Sequence, residues 1–295
     1  MRNLTQHNIT QAVLARIGAD TQPRMREIMV GLIQHLHAFA RDVRLTEREW
    51  EQGIAFLTAT GQTCNAQRQE FILLSDVLGL SMLTVAMNND KPEGCTEATV
   101  FGPFYVEDAP VFELGADIAR GAAGLPCQIQ GSIVGLDGRP VAGASIDVWQ
   151  ADAEGMYDVQ RKDLPGAQGR GRFFSGSSGE FHFQTVLAEA YPIPTDGPVG
   201  QLMSAMHRHP WRPAHLHFKI EADGYEPLVT HVFRNGDRYL DSDAVFGVRQ
   251  SLIAEWTPQS DGTHRLIYDF VLNPAKDPEG RSRHNETPAS GPTRA

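Results

Sequence analysis

Residues 127–150 read CQIQGSIVGLDGRPVAGASIDVWQ, and the fold turns on this stretch. Apolar and small or polar residues alternate on both sides of Asp137-Gly138. Alternation with a period of two marks half-buried strands, and Asp-Gly is a strong turn pair, so a β-hairpin is expected here. Further runs of strand composition follow at EFHFQTV (180–186), AHLHFKI (214–220), PLVTHVF (227–233) and HRLIYDFVL (264–272). Loops rich in Gly, Pro and Ser separate them, including RKDLPGAQGRGRFFSGSSG (161–179) and YPIPTDGPVG (191–200). Several short strands with long connections point to an antiparallel β-sandwich, whose loops are the expected seat of function.

Upstream the texture is helical. Between about residues 8 and 88 apolar residues recur three and four apart, as in Ile28, Leu32, Ile33, Leu36 and Phe39. Thr46 with Glu49 forms a capping box. FILLSDVLGLSMLTVAM (71–87) nears membrane-spanning length only by including Ser75, Asp76 and Ser81, and is expected as a buried helix. The class is therefore mainly β with an α-helical N-terminal region. The expected divisions are a helical domain at 1–100, a linker at 101–126, a β-sandwich catalytic domain at 127–275 and a polar tail at 276–295.

Over 295 residues the net charge of -10 argues against nucleic acid, which needs clustered Lys and Arg. The opening MRNLTQHNIT has no apolar signal core, and the three cysteines, Cys64, Cys95 and Cys127, form no Cys-x-x-Cys pair. Both features fit a reducing cytoplasm.

The chemistry begins at PAHLHFKI (213–220). Residues two apart on a strand share a face, so His215 and His217 point the same way and can share a metal. His35 and His37 lie on a helical pattern, where that spacing separates them, and His207 and His209 lie in a loop. Imidazole suits several ions, so the other ligands decide the metal. Glu221 with His231 would give a cupin-like set, although Leu228 stands where that pattern has glycine. Tyrosine is the alternative. Composition alone singles out none of the six.

The stretch from Ile129 to Tyr157, with Gly131, Gly138, Ile146-Asp147-Val148 and Gly155-Met156-Tyr157, resembles the signature of the intradiol ring-cleavage dioxygenases. A second tyrosine, Tyr191, and then Arg212-Pro213-Ala214-His215-Leu216-His217 continue the family order. The resemblance implies one ferric ion per subunit, bound by Tyr157, Tyr191, His215 and His217. It also implies that Tyr191 leaves the metal as a base and that Arg212 stabilises the substrate anion. Two tyrosinates and a hydroxide would balance three positive charges, which makes burial of the ion affordable. His231 stands where related catechol enzymes carry glutamine and would support the ligands from behind.

By the same resemblance the substrate pocket falls on Leu73, Asp76, Val77, Val100, Phe101, Gly102, Pro103, Phe104, Ile193, Pro194, Arg212 and Val245. Asp76, a carboxylate inside an apolar run, is suited to bond a third hydroxyl. SDVLGLSML, TVFGPFY and YLDSDAVFGV resemble the hydroxyquinol-cleaving members more than the catechol or chlorocatechol ones. The expected substrates are benzene-1,2,4-triol and O2, with catechols as the alternative. The family also implies a homodimer through the N-terminal helices, with a lipid sometimes held between them. A transthyretin-like binding sandwich would explain the strands, but not the tyrosines and histidines together.

Overall fold

Alternation along the strands sets the architecture. The computed structural model describes residues 2–65, 68–162 and 164–275, so the expected tail at 276–295 lies outside the described residues. The described residues divide between Gln62 and Thr63 into two compact units.

The first unit is helical: α1 (Ile9–Leu14), α2 (Pro23–Asp42) and α3 (Glu47–Thr63). Pro23 opens α2 at a position where its missing N–H costs nothing. The capping box of α3 forms as expected, with Glu49 Oε2 accepting from the Thr46 N–H at 2.9 Å and Thr46 Oγ1 from the Glu49 N–H at 3.3 Å. Ile28, Leu32, Leu36 and Phe39 make an apolar stripe on α2, each about half exposed in the single chain.

The second unit begins with α4 (Glu70–Val77) and α5 (Leu80–Asn88), and later carries α6 (Pro198–Ala205). The single buried helix expected over 71–87 is instead two helices bent by 77°. Gly79, with φ +75°, makes the break, because only glycine adopts the left-handed region freely. Leu73, Leu74, Asp76 and Val77 of α4 are buried, whereas Met82 alone is buried on α5. Among the described residues no single helix is long and apolar enough to cross a membrane, although the bent pair meets that test of length and composition.

The strands are β1 (Pro126–Gly135), β2 (Ser145–Trp149), β3 (Arg170–Phe174), β4 (Glu180–Val186), β5 (Tyr191–Pro192), β6 (Trp211–Arg212), β7 (His215–Glu221), β8 (Leu228–Arg234), β9 (Ile253–Ala254), β10 (Trp256–Pro258), β11 (His264–Ile267) and β12 (Phe270–Leu272). One sheet orders β10-β11-β1-β12 with β4 also on β1, a second orders β3-β2-β7-β8-β9, and β5-β6 is a separate ribbon. Most pairs are antiparallel, but β1 runs parallel to β11 and β12, and β8 to β9, so the sheets are mixed. The Asp137-Gly138 turn forms, and Val134 bridges Pro140. The expected hairpin does not, because the chain then crosses and β2 joins the other sheet. RGRFF, expected as loop, is β3. Its arginines pair with acids, Arg172 with Asp147 and Arg170 with Asp158, which hides the apolar alternation.

The core between the sheets takes Ile129, Ile133, Phe181, Phe183 and Phe270 from one side and Ile146, Val148, Leu216, Phe218, Ile220 and Val232 from the other. On β7 this assigns the even-numbered residues to the core. His215 and His217 therefore stand on the opposite face, with Trp149 of β2 and His231 of β8 opposite His217 in register.

Candidate metal centre

Four side chains converge above that outer face. His217 Nε2 lies 2.9 Å from Tyr157 Oη and 3.1 Å from His215 Nε2, and the two tyrosine oxygens are 3.2 Å apart. Donor atoms held about 2.1 Å from one ion, at angles between octahedral and tetrahedral, lie about 3.0–3.4 Å from each other. The observed separations are the edges of such a polyhedron. All four residues are buried.

The four donors arrive by three local devices. The histidines come from strand alternation on β7. Tyr157 lies outside the strands. It follows the turn Asp152–Gly155, in which Asp152 Oδ1 accepts the N–H groups of Glu154 and Met156 at 2.9 and 3.1 Å. Gly155, at φ +77°, passes so close to Tyr191 that a Cβ there would sit 2.9 Å from the tyrosine's own Cβ. Tyr191 lies on β5, extended before Pro192, and pairs in register with Arg212 on β6.

The electrostatics suit a cation. Burial first, and then the neighbouring Arg212, push the His215 imidazole well below its usual range. Burial, then His215 and Arg212, do the same to His217. Both rings are thus neutral, with a lone pair to give. Burial and the adjacent Tyr191 push the Tyr157 phenol well above its ordinary range, so a strong Lewis acid is needed to hold it as phenolate. The donor set, two phenolic oxygens and two neutral imidazoles in a buried site, fits ferric iron.

Arg212 is fully enclosed. Its Nη1 lies 3.2 Å from His215 Nε2 and 3.5 Å from Tyr191 Oη, and its Nε and Nη2 donate to Asp243 at 3.1 and 3.3 Å. Burial works against the charge, but Asp243 keeps it. Asp243 also accepts the backbone N–H groups of Val245 and Gly247. The expectations from sequence missed it, although it lies in the quoted YLDSDAVFGV. Thr99 and Trp149 were missed too. Trp149 stacks on the His217 ring at 4.6 Å between centroids, an aromatic placed by the same alternation that places the histidines.

Among the described residues His215, His217 and His231 form the cluster of possible ligands, yet the third ring faces elsewhere. His231 Nε2 meets His217 Nδ1 at 2.8 Å, and its Nδ1 meets Thr99 Oγ1 at 2.6 Å. It contacts the far side of the His217 ring from Tyr157. Glu221 is exposed on β7 and pairs with Lys219, which removes the cupin-like set.

A cleft of about 750 Å³ is lined by Leu73, Pro103, Phe104, Ile193 and Pro194 of the expected pocket, with Arg68, Met156 and Lys162 among its other walls. Asp76, Val77, Val100 and Val245 are buried, while Phe101 is partly exposed and stacks edge-on with Tyr105. None of these five lines the cleft directly, nor do Gly102 and Arg212. Gly102, at φ +78°, passes the His217 ring so closely that a Cβ would lie 3.0 Å from Cε1. Burial raises the Asp76 carboxyl above the usual range, the Ser81 hydroxyl and Arg212 oppose that rise, and Asp243 adds to it.

Family models match nearly the whole described chain: a catechol dioxygenase N terminus over residues 22–96 and a dioxygenase domain over 100–274. The chain belongs to the intradiol ring-cleavage dioxygenases. Among members of this family it is 66% identical to the 6-chlorohydroxyquinol 1,2-dioxygenase of Cupriavidus pinatubonensis over 93% of this chain and 99% of that protein. It is 48% identical to the hydroxyquinol 1,2-dioxygenase of Nocardioides simplex, covering 92% and 96% of the two chains. The crystal structure of hydroxyquinol 1,2-dioxygenase from Pseudomonas putida DLL-E4 superposes with a TM-score of 0.85 at 45% identity, over 92% of this chain and 99% of that one. Intradiol dioxygenases are non-heme iron enzymes, in keeping with the histidine cluster here.

Proposed function

We propose that this intradiol dioxygenase opens benzene-1,2,4-triol between its 1- and 2-hydroxyls, adding both atoms of O2 to give 3-hydroxy-cis,cis-muconate, the enol form of maleylacetate. One ferric ion per subunit would be held by Tyr157, Tyr191, His215 and His217. The convergence of those four donors beside the buried Arg212 carries the assignment. When bound, the ion supplies the Lewis acidity that binds adjacent hydroxyls and draws electron density from the ring.

The chain's own groups do the rest. Tyr191 Oη takes one hydroxyl proton from the substrate, and its place beside Arg212 Nη1 favours exchange of negative charge between phenolate and substrate. Arg212, held by Asp243, presents a fixed cation to the anion that develops on the ring. His231 fixes the orientation of His217. Leu73, Phe104 and Ile193 exclude water. Asp76 accepts a hydrogen bond from the third hydroxyl, the group that catechol lacks.

The 66% identity to a 6-chlorohydroxyquinol enzyme favours a second substrate, the triol with a ring chlorine. The enzyme works in the cytoplasm as a homodimer joined through the N-terminal helices, where the apolar stripe on α2 also suits a bound lipid. The domain divisions read from the sequence serve that assignment.

The test is an anaerobic visible spectrum. A tyrosinate-to-iron band that moves to longer wavelength with the triol, and that Tyr157→Phe abolishes, supports the assignment. A colourless wild-type protein overturns it. Oxygen uptake then ranks the triol, its chloro derivative and catechol.

A further inference from the structure

Arg208 belongs to none of the groups assigned above. It follows α6, and its guanidinium reaches in two directions at once. Nη1 donates to the Val77 carbonyl at 2.5 Å and Nη2 to the Ala244 carbonyl at 2.9 Å. Val77 ends α4, where the carbonyls of Leu74 and Asp76 accept the N–H groups of Leu78 and Gly79. A cation over the remaining carbonyl satisfies an orphan acceptor and favours the negative end of the helix dipole. Ala244 sits between Asp243, which holds Arg212, and Val245. One planar side chain thus joins the segment that carries Asp76 to the segment that orients Arg212.

The other side of the guanidinium faces an aromatic ring. Phe246 lies 4.9 Å from it and adopts φ +61°, a conformation that bulky residues rarely take. Across from that ring is Gly79, whose Cβ, if it had one, would lie 3.6 Å from Phe246 Cδ2. The break between α4 and α5 and the strained Phe246 therefore meet at the same clasp. A lysine could not copy it, because a point charge lacks the rigid fork that spans two carbonyls.

We infer that Arg208 is a positioning residue that fixes the spacing between Asp76 and Arg212, and so sets how well the pocket tells a triol from a diol. This rests on the proposed substrate. Catechol has no third hydroxyl and does not need Asp76, so loosening the clasp falls on the triol.

The experiment compares both substrates in wild type, Arg208→Gln, Asp76→Asn and the double variant, with iron content and the visible band recorded for each. A misplaced hydrogen bond predicts that Arg208→Gln raises KM for the triol about tenfold and that for catechol less than about threefold, with the iron band unchanged. In the Asp76→Asn background the same change leaves the triol-to-catechol ratio where it was. Equal losses for both substrates, or effects that multiply in the double variant, overturn the clasp. Should Arg208→Gln not fold, Arg208→Lys carries the same comparison. A wild-type enzyme that does not prefer the triol overturns the substrate assignment before any variant is made, and the clasp's role with it.

Discussion

Replacing His231 by leucine tests the bracing of the metal centre most directly. His217 turns Nε2 toward Tyr157 Oη and Nδ1 toward His231 Nε2, 2.8 Å away; with Nε2 as the proposed ligand atom, Nδ1 carries the proton and donates to His231. In that arrangement His231 accepts at Nε2, so its own proton sits on Nδ1 and points to Thr99 Oγ1, 2.6 Å away. Leucine fills similar space and accepts nothing. It strands the His217 N–H and the Thr99 hydroxyl in a dry interior, at about 1–3 kcal/mol each. The His217 half of that loss acts on a proposed metal ligand, where lost outer support typically lowers affinity about 10–100-fold, or about 1.4–2.8 kcal/mol. Glutamine offers an amide oxygen and an NH2 group, so His231→Gln recovers most of the affinity. Competition with a chelator measures the iron dissociation constant, and urea unfolding of the iron-free protein gives the remainder. Leucine binding iron as tightly as wild type would refute the argument, as would glutamine failing as badly as leucine.

Asp243→Ala leaves the Arg212 charge buried without its partner and strips the acceptor from two backbone N–H groups, so urea titration is expected to show about 3–5 kcal/mol of destabilisation. Asp243→Asn, which keeps an acceptor, loses less. Gly102→Ala forces a left-handed alanine against the His217 ring, and metal analysis of the purified variant is expected to find depleted iron with an unchanged far-ultraviolet circular dichroism spectrum. Asp76 gives a pH signature. An acid whose folded pKa is raised costs stability as pH climbs from its unfolded value, about 3.9, through its raised folded value, and the cost then stays constant. Asp76→Asn is therefore expected to flatten the melting temperature against pH in the substrate-free enzyme and to raise it at neutral pH, while weakening the triol relative to catechol.

Much of this site was legible because strand alternation is a local rule. PAHLHFKI declares by itself that its histidines share a face and that Leu216, Phe218 and Ile220 take the other. The tyrosines were not legible that way. Tyr157 reaches the site from a turn and Tyr191 from a two-residue strand, and the resemblance of their surroundings to a known signature selected them. Contacts between distant segments left no local mark. Nothing near Arg212 names Asp243, and nothing near Arg208 names Val77 or Ala244. The hairpin expectation failed for a related reason, since the turn is local but the sheet that β2 joins is decided by its partner β7. β3 was hidden because its arginines are neutralised by acids far along the chain.

One seven-residue strand presses phenylalanine into the centre of the sandwich with one face and offers two imidazoles to the candidate metal centre with the other. A slip of a single residue would exchange the faces, putting the imidazoles among hydrocarbon and the phenylalanine where a ligand belongs. No partly correct fold can keep the site and lose the core. With the proposed iron bound, the enzyme's colour is thus expected to read out native strand register and to vanish in the same cooperative step that exposes the β7 amides to deuterium exchange.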